Sequence, residues 1–178
     1  MRDSAETMLL ELTIYCRGGQ GGVTSAKLVA TAAMLKGLYA QAIPQFGPER
    51  RGATVNAYLR ISDTPIRRRS SIKNPYGIVV FDRKIALNST AKLGIINSPD
   101  PIKIAEKTYY LDATRIAEKN SLVYAGWTVL SAPMSGAIAK ALDIEFHYLK
   151  EAIRMELGEK AEKSIESARE AYEVVLWT

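Results

Sequence analysis

Residues 8–15, MLLELTIY, are apolar except at Glu11 and Thr13, a pattern that predicts a buried strand. Residues 24–36 are rich in Ala and Leu. Their polar positions Thr24, Lys27 and Thr31 fall three and four apart on one face, so a largely buried helix is predicted, ending at Gly37. Residues 38–43, LYAQAI, predict a second strand stopped by Pro44. In residues 53–62, Ala53, Val55, Ala57, Leu59 and Ile61 alternate with Thr54, Asn56, Tyr58, Arg60 and Ser62. That alternation predicts a strand with one face in the core. The unbroken apolar run 76–81, YGIVVF, predicts a strand covered on both faces.

Further along, the pattern predicts a short helix around 84–92 and strands at 94–97 and 107–111. A helix follows from Ala113, with Asp112 as its N-cap. Residues 122–142 are mostly apolar and small, with Pro133 expected to break or kink them. Asp143 is expected to cap a helix running to Leu157 and ended by Gly158. The last helix is predicted over 159–176, with Ala161, Ile165, Ala168, Tyr172 and Val175 as its buried stripe. Glu159 with Lys163, and Arg169 with Glu173, are its expected surface pairs. The alternation of strands and helices predicts one α/β domain over residues 1–178. Its sheet is largely parallel and flanked by helices, with a glycine-rich turn after the first strand.

Composition narrows the chemistry more than the fold. The 178 residues are 47% hydrophobic and 24% charged, and no apolar run approaches the length of a membrane span. No membrane association is expected, and a cytoplasmic protein is the simplest reading. The chain has one cysteine, Cys16, and one histidine, His147, which cannot supply the thiolates of an iron–sulfur cluster or the ligands of a structural zinc. No residue reads as catalytic and none as a metal ligand. The net charge is +5, with Arg67, Arg68 and Arg69 in one run. No aromatic RNA-binding motif or basic helical stripe accompanies the run, so nucleic acid is not an expected partner. The arginines read first as a solvated loop and second as a phosphate or partner contact.

The glycine-rich stretch CRGGQGGVTSAK, residues 16–27, sits where a strand runs into a helix. Glycines there let backbone N–H groups approach an anion, and the helix N-terminus adds partial positive charge. The candidate anion-binding set is Arg17, Gly18, Gly19, Gln20, Gly21 and Gly22, with Arg50 and Arg51 from the stiff loop PQFGPERRG at 44–52. The stretch has no Gly-Lys-Ser/Thr of a P-loop, and Thr24 stands where a dinucleotide fingerprint has its third small residue. The same glycines could equally serve close helix–sheet packing.

Two stretches taken together resemble the gamma subunit of 2-oxoacid:ferredoxin oxidoreductases, which include the pyruvate and 2-oxoisovalerate enzymes. These are RGGQG at 17–21 and FGPERRGA at 46–53; the likeness spans 12–62 and extends to 78–82. Beyond Asp82 it fades. The resemblance implies a multi-subunit enzyme with alpha, beta and ferredoxin-like delta subunits, which decarboxylates a 2-oxoacid, forms acyl-coenzyme A and passes electrons to ferredoxin. Thiamine diphosphate and the iron–sulfur clusters would be held by the partner subunits. This chain would contribute contacts to coenzyme A and help close the active site. Gamma-type subunits for 2-oxoisovalerate, 2-oxoglutarate or indolepyruvate, and a free-standing anion- or nucleotide-binding sensory module, are the alternative readings.

Overall fold

The computed structural model describes residues 7–45, 52–85, 87 and 90–178. The apolar N-terminal run forms β1 (Leu9–Arg17), and the Ala-rich segment forms helix α1 (Gly22–Leu35). Gly37, at φ 98°, turns the chain after α1 as the sequence predicts. Then come β2 (Tyr39–Pro44), β3 (Thr54–Ser62), β4 (Gly77–Val80), β5 (Leu93–Asn97) and β6 (Lys107–Leu111). Helix α2 (Ala113–Lys119) starts at Asp112, whose side chain accepts from the N–H of Arg115 at 3.0 Å, the predicted N-cap. A small hairpin, β7 (Val123–Tyr124) and β8 (Trp127–Thr128), leads into α3 (Ser131–Ala141), α4 (Phe146–Leu157) and α5 (Glu162–Val174). The last strand is β9 (Leu176–Trp177).

Among the described residues seven strands form one sheet in the order β2-β3-β1-β4-β5-β6-β9. Strands β1, β4, β5 and β6 are parallel neighbours; β3 lies antiparallel between β1 and β2, and β9 runs antiparallel to β6. Five of the seven strands therefore point one way, in line with the predicted largely parallel sheet. The helices pack on one another and on one face of this sheet. Leu12, Ile14, Leu59, Ile61, Val79 and Ile95 enter the helix-covered core from the strands; Val29, Ile138, Ile153 and Ile165 meet them from the helices. Small residues let the helices approach closely: a Cβ on Gly136 of α3 would collide with the carbonyl of Ala168 on α5. The opposite face is covered in part by extended chain. Ser70 reaches Arg60, and Ile104 lies against Gly94.

Several expectations are corrected. Strand β3 is buried on both faces in its second half, so Tyr58, Arg60 and Ser62 are not solvent-facing; the segment after β3 folds back over Arg60. No helix forms among the described residues of 84–92. The Asp82 side chain accepts from the N–H of Lys84 at 2.9 Å, a local turn that competes with helix. Pro133 neither breaks nor kinks α3. It sits in the first turn, where its missing N–H has no helical acceptor to lose. Asp143 is not a cap of α4. At φ 55° it forms the left-handed turn that ends α3, and α4 begins after Glu145. The last helix is shorter than predicted, opening with a 3₁₀ turn (Gly158–Lys160) and yielding its end to β9. On it Arg169 pairs with Glu166, three residues before it, rather than with Glu173.

Candidate functional site

The glycine turn lies at the carboxyl end of β1, beside the end of β4, the edge at which open α/β sheets place ligands. It is tied to the residues just before β3. Gly18 donates to the Ala53 carbonyl at 2.8 Å, and Gly52 donates to the Gly18 carbonyl at 3.1 Å. Gln20 braces the turn in three directions. Its side-chain oxygen accepts from the Arg17 N–H at 2.7 Å, its own N–H donates to the Arg17 carbonyl at 3.1 Å, and its carbonyl accepts from Leu130 at 2.8 Å.

The glycines divide the work. Gly19 (φ 94°) and Gly21 (φ 92°) hold left-handed backbone that other residues resist. Gly21 is also pressed against the start of α3, where an added Cβ would stand 2.9 Å from Ser131 Cβ. Gly22 is a packing glycine: a Cβ there would run into Cys16 Sγ. Cys16 is buried at the seam, 2% exposed, with Sγ 3.5 Å from the Val55 carbonyl. Gly21 gives α1 no side-chain cap, so the first N–H groups of the helix lack helical acceptors. They border a cleft of about 310 Å³ lined by Arg17, Gly19, Gly21, Thr24, Val55 and Val129 among others.

Arg17 is committed elsewhere. Its Nε donates to Asp82 Oδ2 at 3.0 Å, and its Nη1 reaches the Gly52 carbonyl at 3.4 Å and Thr54 Oγ1 at 3.5 Å. Burial alone pushes the Asp82 carboxyl up; the Lys84 N–H and the Arg17 guanidinium outweigh it and hold the group below its ordinary value. On the other side of Gln20 a polar cleft of about 260 Å³ opens among Asp82, Arg83, Asn97, Asp112 and Thr114. Asn97 is saturated there: its amide donates to the Phe81 carbonyl and Thr114 Oγ1, and its oxygen accepts from Ala113 and Thr114.

The structure thus brings Arg17, Gly18, Gly19, Gln20, Gly21 and Gly22 to one edge. Arg50 and Arg51 lie outside the described residues, although Gly52, the next residue, is bonded to the turn. His147 stacks beside Tyr148 on α4, at 4.0 Å between ring centroids. Among the described residues no cluster of His, Cys, Asp or Glu is arranged to hold a metal.

The β7–β8 hairpin was not anticipated from the sequence. It follows from Ala125 (φ 49°) and Gly126 (φ 79°), a two-residue turn of the tight hairpin type. The signal was legible in YAGW at 124–127, a turn pair between two aromatic strand formers. Through it Trp127 closes over Gly52, where a Cβ would stand 3.3 Å from Trp127 Cη2, and Val129 joins the glycine cleft.

The family model described as pyruvate ferredoxin/flavodoxin oxidoreductase matches residues 11–174. The common gamma subunit of pyruvate/ketoisovalerate oxidoreductases from Pyrococcus furiosus is 39% identical, covering 93% of this chain and 96% of its own. The pyruvate synthase subunit PorC of Methanothermobacter thermautotrophicus is 36% identical, over 94% of this chain and 96% of its own. Among solved structures, the fold is similar to pyruvate oxidoreductase subunit PORC of Thermotoga maritima, with TM-score 0.77 and 24% identity over 96% of this chain and 98% of that one.

Proposed function

Because the chain belongs to the pyruvate ferredoxin/flavodoxin oxidoreductase family, we propose that it works as the gamma subunit of a multi-subunit 2-oxoacid:ferredoxin oxidoreductase, with pyruvate as the first candidate substrate. The end-to-end match to gamma subunits carries this reading, since both chains are covered above nine-tenths of their length. In such a complex a 2-oxoacid is oxidatively decarboxylated to acyl-coenzyme A and the electrons pass to ferredoxin. With one cysteine this chain cannot supply the thiolates of an iron–sulfur cluster, and in this reading the clusters and thiamine diphosphate belong to alpha, beta and ferredoxin-like delta partners. No helix among the described residues is long and apolar enough to cross a membrane.

Coenzyme A is the group proposed for the glycine turn. When bound it supplies the thiol that accepts the acyl group. The residues present fit one of its phosphoryl groups: the N–H groups at the start of α1 have no side-chain cap, and Gly19, Gly21 and Gly22 line an open cleft beside them. Arg17 helps by holding the turn to β4 through Asp82 rather than by offering a free charge. Arg50 and Arg51 are proposed to pair with the phosphates or with a partner subunit. Their replacement by Ala should raise the apparent KM for coenzyme A in the first case and weaken subunit association in the second.

Mild anaerobic affinity purification from the native host tests the main reading. Large partner subunits, a brown iron–sulfur spectrum and 2-oxoacid-dependent electron transfer are expected. A colourless chain emerging alone would overturn it in favour of a free-standing sensory module.

A further inference from the structure

We propose that a cleft on the sheet face away from the helices, between β1, β3 and the segment 68–74, is a second anion site, built for a phosphate-bearing ligand. It lies beside Glu11, six residues down β1 from Arg17, about 20 Å from the glycine turn at the rise of a β-strand.

The floor is Arg60, 1% exposed. A guanidinium is costly to bury unless paired, and this one is held on several sides. Its Nε donates to Glu11 Oε2 at 2.7 Å, its Nη1 to Gln41 Oε1 at 3.1 Å and its Nη2 to the Ser70 carbonyl at 2.6 Å. These bonds pin the segment after β3 onto the sheet and shape a concavity of about 330 Å³. Arg68 and Lys73 line it from that segment, and Arg68 Nη1 stands 3.7 Å from the other oxygen of the same Glu11 carboxylate. Glu11 thus pairs with both Arg60 and Arg68, and among the described residues that line the cleft three cations, Arg60, Arg68 and Lys73, stand against this one carboxylate. Ser70 and Ser71 add hydroxyl donors at its rim. That excess of cations, on forked and single-point donors, suits a doubly charged tetrahedral phosphate better than a lone carboxylate. Arg67 and Arg69 do not line the cleft; they are exposed in the same run, where solvent screens their charge from it.

Calorimetric titration of the full chain with inorganic phosphate, with acetate and succinate at matched ionic strength as controls, tests the site. Saturable binding of phosphate is expected, with one component weakened at least ~10-fold in the R68A/K73A double variant and any binding at the glycine turn left unchanged by it. R67A/R69A, which removes the same charge from outside the cleft, should stay within about twofold of the parent. Arg68 and Lys73 are exposed, so both variants should keep the parent circular dichroism spectrum; K73Q alone provides a second, milder reading in the same direction. Three results would overturn the proposal. These are no saturable phosphate binding up to about 20 mM, equal weakening by the two double variants, or succinate binding as tightly as phosphate, which points to an acidic protein segment instead.

Discussion

Arg17 at the end of β1 and Asp82 just beyond β4 are joined at 3.0 Å between Nε and Oδ2, across 65 residues of sequence. The pair stitches the glycine turn to the middle of the parallel sheet. Asp82 is held below its ordinary value in the folded chain. Its stabilising contribution is therefore present at neutral pH, above the unfolded value of about 4, and is lost as pH falls through the lower folded value. Asp82→Asn should cost about 1 kcal/mol at pH 7, with both side chains part-exposed and the gain partly screened by solvent. The gap to the parent should narrow toward pH 3. Urea midpoints measured across that range check it; a gap that does not change with pH would remove the charge from the explanation.

Gly21→Val places a β-branched side chain at φ 92°, with Cβ against Ser131. The left-handed strain and the contact together should cost about 2–4 kcal/mol. Coenzyme A dependence of the assembled enzyme should be lost or assembly should fail. A variant complex of normal Tm and turnover would show that the turn has neither role.

Gly136→Ala tests the helix layer. The new methyl meets the Ala168 carbonyl, a backbone atom that cannot swing aside, so α3 and α5 must separate. A loss of about 2 kcal/mol is expected, read as a Tm lower by several degrees, with no change in any ligand constant beyond that loss.

Glu11→Gln leaves the buried Arg60 guanidinium without its countercharge. The expected cost is about 3 kcal/mol, larger than for any exposed pair, because an uncompensated charge remains in the interior. Denaturant unfolding should show Arg60→Met with Glu11→Gln to be less destabilised than Glu11→Gln alone. The reverse order would mean that the pair's packing, not its charge balance, matters.

Where short-range physics decides, the sequence was enough. Alternation and apolar runs located β1 through β6, Gly37 marked the end of α1, and Asp112 announced its own cap, because each signal acts within one or two turns of chain. The glycine turn was legible as a turn for the same reason. Tertiary contacts settled the rest. Arg60 reads as a solvent position by alternation, yet the segment after β3 folds over it and Glu11 from a neighbouring strand supplies the charge that makes burial tolerable. Residues 84–92 have a composition that allows helix, but the Asp82 carboxylate takes the Lys84 N–H first. Gly21 and Gly22 could have served a ligand or packing. Only the placement of Ser131, more than a hundred residues later, and of Cys16 beneath α1 shows that both are packed as closely as a glycine allows. Periodicity records which way a residue faces along its own element; what then covers that face depends on chain arriving from elsewhere.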